Sequence, residues 1–329
     1  MASGELGYGE LITIVLATWG IFAAGAMGHE AFDIEYAVGA IRAAERLRRH
    51  TGTRPDVGVG TATAPHKPAR IRFHDVGFRY PDTERPVLDE MDLEIRPAEV
   101  LAIVGHNGAG KTTIVKLLAG LQWPSEGRIT VDGVELTDLD IVSWRNKVTT
   151  VFQDFLHYPL PLRDNVTLGA PEVETDDDAV MAALVAAGAR EFVDHFPDGL
   201  DTVLSAEHTG GVDLSGGQWQ RIAIARALFA VTHGRRVLVL DEPTAHLDVR
   251  AEAEFYDNVV SAVSGVTVVL ISHRLSTVRR ADRIVVIDDG RVAESGSHAE
   301  LMDRKGTYAG LYRLQADRFA NTGAEELLS

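Results

Sequence analysis

The chain contains no cysteine. Disulfides and thiolate metal sites are therefore excluded. Lysine is almost as scarce, with 5 residues against 27 arginines. Basic side chains are in deficit, 32 Lys and Arg against 48 Asp and Glu, for a formal net charge of −16. Phosphate backbones need a basic surface, so this balance argues against a general nucleic-acid binder. Long apolar runs are rare too, and residues 11–28 carry no charged side chain. What is present is ordinary for a globular protein: 45% apolar and 24% charged residues. A chain of 329 residues can bury one large core or two smaller ones. No internal repeat is visible.

Residues 11–28 would rise about 27 Å as a helix, close to the roughly 30 Å of a bilayer's hydrocarbon core. This predicts a membrane helix at the short end of the range, with Gly20, Ala24, Gly25 and Gly28 suited to close helix packing. A buried soluble helix is the alternative. A signal peptide fits poorly, because Glu5 and Glu10 precede the run and no Lys or Arg does. Residues 30–49 predict an amphipathic helix in which Phe32, Tyr36, Ile41 and Leu47 lie among Arg42, Arg46, Arg48 and Arg49. Basic residues after a span mark the cytoplasmic side, although the same arginines also suit a solvated face. Residues 50–69 are rich in Gly, Pro and Thr without periodicity and read as a linker.

From residue 70 to about 318 the pattern is that of a folded α/β domain, followed by a tail over 319–329. Ile71–Phe73 and Leu93–Ile95 alternate like half-exposed strands. Asp132-Gly133 predicts a hairpin turn. Val237–Leu240 and Val266–Ile271 are continuous apolar runs, suited to parallel strands covered on both faces. Ile284–Ile287 predicts another strand, and residues 177–196 and 298–318 predict helices.

Between the apolar run Val100–Val104 and a helix beginning near Ile114 stands Gly105-His106-Asn107-Gly108-Ala109-Gly110-Lys111-Thr112-Thr113. This is the phosphate-loop spacing in its strand–loop–helix context. Glycines let backbone N–H groups approach phosphate oxygens, and the helix N-terminus adds partial positive charge. Lys111 would reach the β- and γ-phosphates, and the Thr112 hydroxyl would ligate Mg²⁺. Asn107 and Thr113 complete the expected nucleotide-binding loop. The strand Val237–Leu240 ends in Asp241-Glu242, placing one carboxylate for Mg²⁺ and one to activate water. Leu214-Ser215-Gly216-Gly217-Gln218 opens a helix with an anion-binding end, although Ser215 alone is also adequate as an N-cap. Gln153 and His273 each follow a predicted strand, where open α/β sheets place ligands.

In this order the motifs resemble the ATP-binding cassette (ABC) family. The resemblance covers residues 71 to about 318, and Leu-Ser-Gly-Gly-Gln is its most specific element. It implies a P-loop NTPase nucleotide-binding domain of α/β class, with an antiparallel β subdomain and a helical subdomain. It implies ATP and Mg²⁺ as cofactors. Tyr80 would stack on adenine, Glu242 would be the general base, and His273 would contact the γ-phosphate. Gln153 would couple Mg²⁺ and the attacking water to the helical subdomain. Ser215, Gly217 and Gln218 would bind nucleotide held by a second nucleotide-binding domain, in a head-to-tail dimer crossed also by Asp248. Two departures stand out: Ala245-His246-Leu247-Asp248 replaces the common Ser-Ala-Leu-Asp, and Glu207–Gly211 replaces an exporter-type Gly-Glu-Arg-Gly stretch.

The segment from Glu294 to Tyr308 is similar to exporter cassettes, and residues 5–50 resemble an exporter's last membrane helix with its cytoplasmic extension. The expectation is the ATPase part of an exporter in the cell inner membrane, its nucleotide-binding domain cytoplasmic, working with a membrane-spanning domain. A soluble ABC ATPase acting on DNA or ribosomes would carry coiled-coil insertions or paired cassettes. An importer ATPase subunit would begin directly at the cassette.

Overall fold

A computed structural model describes residues 9, 12–19, 60–81, 83–174, 176–243, 259, 262–272 and 274–315. The chain divides into two units, residues 1–57 and 58–329. In the first, residues 12–19 of the expected membrane helix are helical, with Ile12, Ile14, Val15, Leu16 and Trp19 exposed. The rest of that helix, the expected helix at 30–49 and the tail at 319–329 lie outside the described residues. Among the described residues, no helix is long and apolar enough to cross a membrane.

The second unit holds two sheets. One is antiparallel, in the order β2-β1-β4-β5, from β1 (Ile71–Phe78), β2 (Leu88–Ile95), β4 (Glu126–Val131) and β5 (Val134–Glu135). β1 and β2 bury alternate residues, the period-2 pattern of a sheet covered on one face. The β4–β5 hairpin turns at Asp132 and Gly133, with φ of 48° and 86°. Positive φ at both central residues is the geometry of the tight turn that the Asp-Gly pair predicts.

The other sheet has six strands in the order β10-β9-β3-β8-β7-β6. Its strands are β3 (Val100–Gly105), β6 (Val148–Val151), β7 (Val237–Asp241), β8 (Thr267–Ile271), β9 (Arg283–Asp288) and β10 (Arg291–Gly296). All neighbours pair in parallel except β9 and β10. Every residue of β7 and β8 is buried, which accounts for the apolar runs Val237–Leu240 and Val268–Ile271 within them.

Eight helices among the described residues carry labels here: α1 (Lys111–Leu118), α2 (Ile141–Arg145), α3 (Leu162–Thr167), α4 (Asp177–Ala186), α5 (Arg190–Val193), α6 (Gly216–Thr232), α7 (Leu275–Val278) and α8 (His298–Arg304). Residues of α3, α4 and α6 cover one side of the parallel strands with Leu238, Leu240, Val268 and Leu270. Residues of α1 and the antiparallel sheet share a second core with Val237, Val239, Val269 and Ile271. This is the P-loop α/β fold with an antiparallel β subdomain and a helical subdomain.

Two expected helices are interrupted. The helix predicted over 177–196 stops at Ala186 and resumes at Arg190. Gly188 takes φ 69°, and the Ala189 N–H donates to the Leu184 carbonyl in a Schellman-type stop. The helix predicted over 298–318 breaks where Lys305 adopts φ 55°, before helical residues 307–315. Residues 60–69, within the stretch read as a linker, are part of this second unit. Ala62 pairs its backbone with Asp138 and Asp140, the Ala64 N–H donates to Ser143 Oγ, and Ala64 and Ala69 are buried.

Candidate functional site

The phosphate loop joins β3 to α1 at the C-terminal end of the parallel sheet, where open α/β sheets place ligands. Its glycines answer two different needs. At Gly105 a side chain would run into the Ile287 carbonyl of the neighbouring strand β9. Gly110 takes φ 101° as the N-cap of α1 and offers no side-chain cap. The first-turn N–H groups of α1 are therefore open to an external anion.

Lys111, the first residue of α1, is buried. Its Nζ donates to the carbonyls of Gly105 (2.9 Å) and His106 (2.8 Å), so it folds back over the loop. Burial lowers the ammonium pKa, against the opposing pull of Glu242 and Asp241. Thr112 Oγ1 donates to Asp241 Oδ2 at 3.1 Å. Asp241 is buried at the end of β7. Burial raises its pKa, with Glu242 and Asp154 adding to the rise while Thr112 and Lys111 oppose it. A hydroxyl and a carboxylate oxygen side by side are the hard oxygen donors that Mg²⁺ prefers. The residues present therefore fit the ion.

Glu242 follows Asp241 at φ 53°, left-handed backbone that non-glycine residues rarely adopt. Its N–H donates to the Ile271 carbonyl at 2.9 Å, pinning the turn to the end of β8. The kink takes the chain out of the buried strand and leaves Glu242 on the wall of a cleft of about 690 Å³. That cleft gathers Tyr80, Asn107, Gly108, Gly110, Lys111, Thr112, Thr113, Gln153, Asp241 and Glu242. Ten residues singled out from sequence thus share one space, while Gly105, the last residue of β3, does not line it. The Tyr80 ring meets Phe78 edge-on at 4.9 Å, its hydroxyl lies 3.2 Å from Thr113 Oγ1, and Lys116 Nζ sits 5.5 Å from its centroid.

Ser215, Gly217 and Gln218 do not line the cleft. They begin α6 as a reciprocal capping box: Ser215 Oγ accepts from the Gln218 N–H, and Gln218 Oε1 accepts from the Ser215 N–H at 2.9 Å. The cap accounts for Gln218 as well as for Ser215. His273, Asp248 and the segment Ala245–Leu247 lie outside the described residues.

Sequence reasoning missed two residues of this region. Val87 lines the cleft from the approach to β2, held by its N–H on the Phe78 carbonyl. Nothing in the local pattern marks it, since it arrives through strand pairing. Gln220, buried on α6, donates its side-chain amide to the Pro243 carbonyl directly after Glu242. A polar residue on the apolar face of α6 was the available signal.

Residues 88–245 match the family model described as ABC transporter. The chain is 41% identical over 257 residues to the ATP-dependent lipid A-core flippase of Thiobacillus denitrificans, covering 78% of this chain and 43% of that protein. It is 42% identical over 246 residues to the flippase of the same name in Ralstonia nicotianae, covering 74% and 40%. Among solved structures it is similar to a bacterial Atm1-family ABC exporter with ATP bound. There the TM-score is 0.75 and the identity 35%, over 85% of this chain and 48% of that one. The chain thus spans less than half the length of these relatives.

Proposed function

We propose that this chain, which carries an ABC transporter nucleotide-binding domain, is the ATP-binding and ATP-hydrolysing part of an exporter. The observation that carries the reading is the cleft itself. It sets a phosphate loop, a Thr–Asp pair for Mg²⁺ and a second carboxylate around one space. In the proposed reaction the loop N–H groups and the α1 N-terminus hold the β- and γ-phosphates of ATP. Lys111 leaves its two carbonyls and turns to the phosphate oxygens. Thr112 and Asp241 would hold Mg²⁺, which neutralises charge on the β- and γ-oxygens. Glu242 accepts a proton from the attacking water, and Gln153 orients that water. Tyr80 presents its ring to adenine, and His273 is assigned to the γ-phosphate.

Ser215, Gly217 and Gln218 belong, in this reading, to the site of a second nucleotide-binding domain, with Asp248 at the shared interface. Their position away from the local cleft supports that assignment. The membrane-spanning domain and the location at the cell inner membrane, with this domain cytoplasmic, are part of the same proposal. They rest on the named relatives and on the apolar residues 11–28.

Carbonate-washed membranes carrying the chain provide the test. Mg²⁺-dependent ATP hydrolysis is expected there. Glu242→Gln should lower turnover by about 10³-fold or more while ATP still binds. Recovery of the chain only in the soluble fraction contradicts the membrane assignment. Hydrolysis at the wild-type rate by Glu242→Gln contradicts the general base.

A further inference from the structure

The proposed base Glu242 must aim its carboxylate at one water, yet it stands on a backbone conformation that a non-glycine residue leaves readily. Its φ is 53°, and the Ile271 carbonyl restrains it from the N-terminal side. On the C-terminal side the restraint is Gln220. Its Nε2 donates to the carbonyl of Pro243, the residue after Glu242, at 2.5 Å. That carbonyl can only accept, so the donor end of the amide must face it. Gln220 is 2% exposed. Its Oε1 is buried with no hydrogen-bond partner among the described residues.

Among the described residues only one end of this buried amide is satisfied, which makes it a modest stabiliser. An apolar residue of the same length would keep the packing but leave the Pro243 carbonyl without its donor. Its position points elsewhere. Gln220 lies on α6, the helix opened by Ser215, and the preceding Trp219 stacks flat on His157 in the loop after Gln153 (centroids 4.5 Å apart, planes 6° apart). Two consecutive side chains of one helix thus touch the loops that follow Gln153 and Glu242.

We propose that Gln220 is a positioning residue for the Glu242 carboxylate: its hydrogen bond to Pro243 holds the left-handed turn and ties the base to the helix that begins at Ser215. This rests on the ATP-hydrolysis reading above. It predicts a loss of kcat without loss of binding, because Gln220 does not line the cleft formed by the phosphate loop and Tyr80.

The test compares wild type, Gln220→Met and Gln220→Leu in the full chain. Gln220→Met keeps length and burial without a donor, and Gln220→Leu removes the donor with a branched apolar side chain. Measured are kcat, KM for ATP, the affinity for a fluorescent ATP analogue and the melting temperature. For Gln220→Met, kcat should fall about tenfold or more, with KM and nucleotide affinity within about twofold. Its melting temperature should fall by no more than about 6 °C, the loss expected for one unpaired carbonyl. Gln220→Leu should lose kcat in the same way, which keeps the test open if the Met variant folds poorly. Wild-type kcat in either folded variant overturns the proposal. So does a parallel loss of kcat, affinity and melting temperature, which would mark a purely structural role. A wild-type chain that binds nucleotide without hydrolysing it would instead remove the parent reading, and this inference with it. Active wild type, silent Glu242→Gln and normal Gln220→Met would remove this inference alone.

Discussion

Asp241 shows how a single residue is set for its task at the expense of the empty fold. Burial disfavours its charged form, and the Thr112 hydrogen bond offsets only part of that. Its folded pKa lies above the unfolded value of about 3.9. The folded chain then carries no penalty from Asp241 below the unfolded pKa. The full penalty applies above the folded pKa, so stability falls as pH rises through that window. Asp241→Asn keeps an acceptor for Thr112 and removes the charge. In the absence of nucleotide at neutral pH it should melt no lower than wild type, and higher if desolvation dominates, while losing Mg²⁺-dependent hydrolysis. A clear drop in melting temperature would contradict the burial argument. At this scale the sequence was informative wherever chemistry dictates identity and spacing, as at Lys111, Thr112 and Asp241. It was silent on Val87 and marked Gln220 only as a polar residue on an apolar helix face; their roles come from strand pairing and from a helix packing beside the Glu242 loop.

Among elements, the helix under the phosphates depends on a short neighbour. α1 ends at Leu118, and the last carbonyls of a helix lack intrahelical partners. Trp144 of α2 supplies one, its Nε1 donating to the Leu118 carbonyl at 2.8 Å from a site only 1% exposed. Arg145 Nη2 donates to the Gly120 carbonyl at 2.7 Å. Trp144→Phe would leave the Leu118 carbonyl unmet and a gap beside it, costing about 2–4 kcal/mol. Urea denaturation should show that loss, with ATP affinity of the folded variant within about twofold of wild type. The β3-to-α1 unit was legible because an apolar strand, a glycine loop and a helix each have their own pattern. α2 was not, since five residues hold too little periodicity to announce a helix. Nor was the break at Lys305: a left-handed lysine carries no local mark, whereas Gly188 is a residue that permits one.

For the whole molecule, sheet order decides which residues can meet. β3, β8, β7 and β6 lie side by side, so the phosphate loop, Asp241-Glu242 and Gln153 emerge at one end of the parallel strands. The continuous apolar runs of β7 and β8 announced buried parallel strands, but their neighbours could not be read from composition. Ser215 stands apart from that cleft at the start of α6, capping its own helix. Its placement underlies the central claim, that hydrolysis takes place at a site shared between two nucleotide-binding domains.

Complementation by mixing tests that claim most directly. Ser215→Asp keeps a good N-cap but sets a negative charge against the partner's γ-phosphate. Lys111→Ala disables the phosphate loop of its own chain. In a two-fold dimer, mixed pairs would contain one site with both defects and one with neither. Each variant alone should lack hydrolysis. An equal mixture should recover about a quarter of the wild-type rate if the two sites act independently. A Ser215→Asp chain that hydrolyses ATP alone at the wild-type rate, or a mixture as silent as its components, would contradict the shared site.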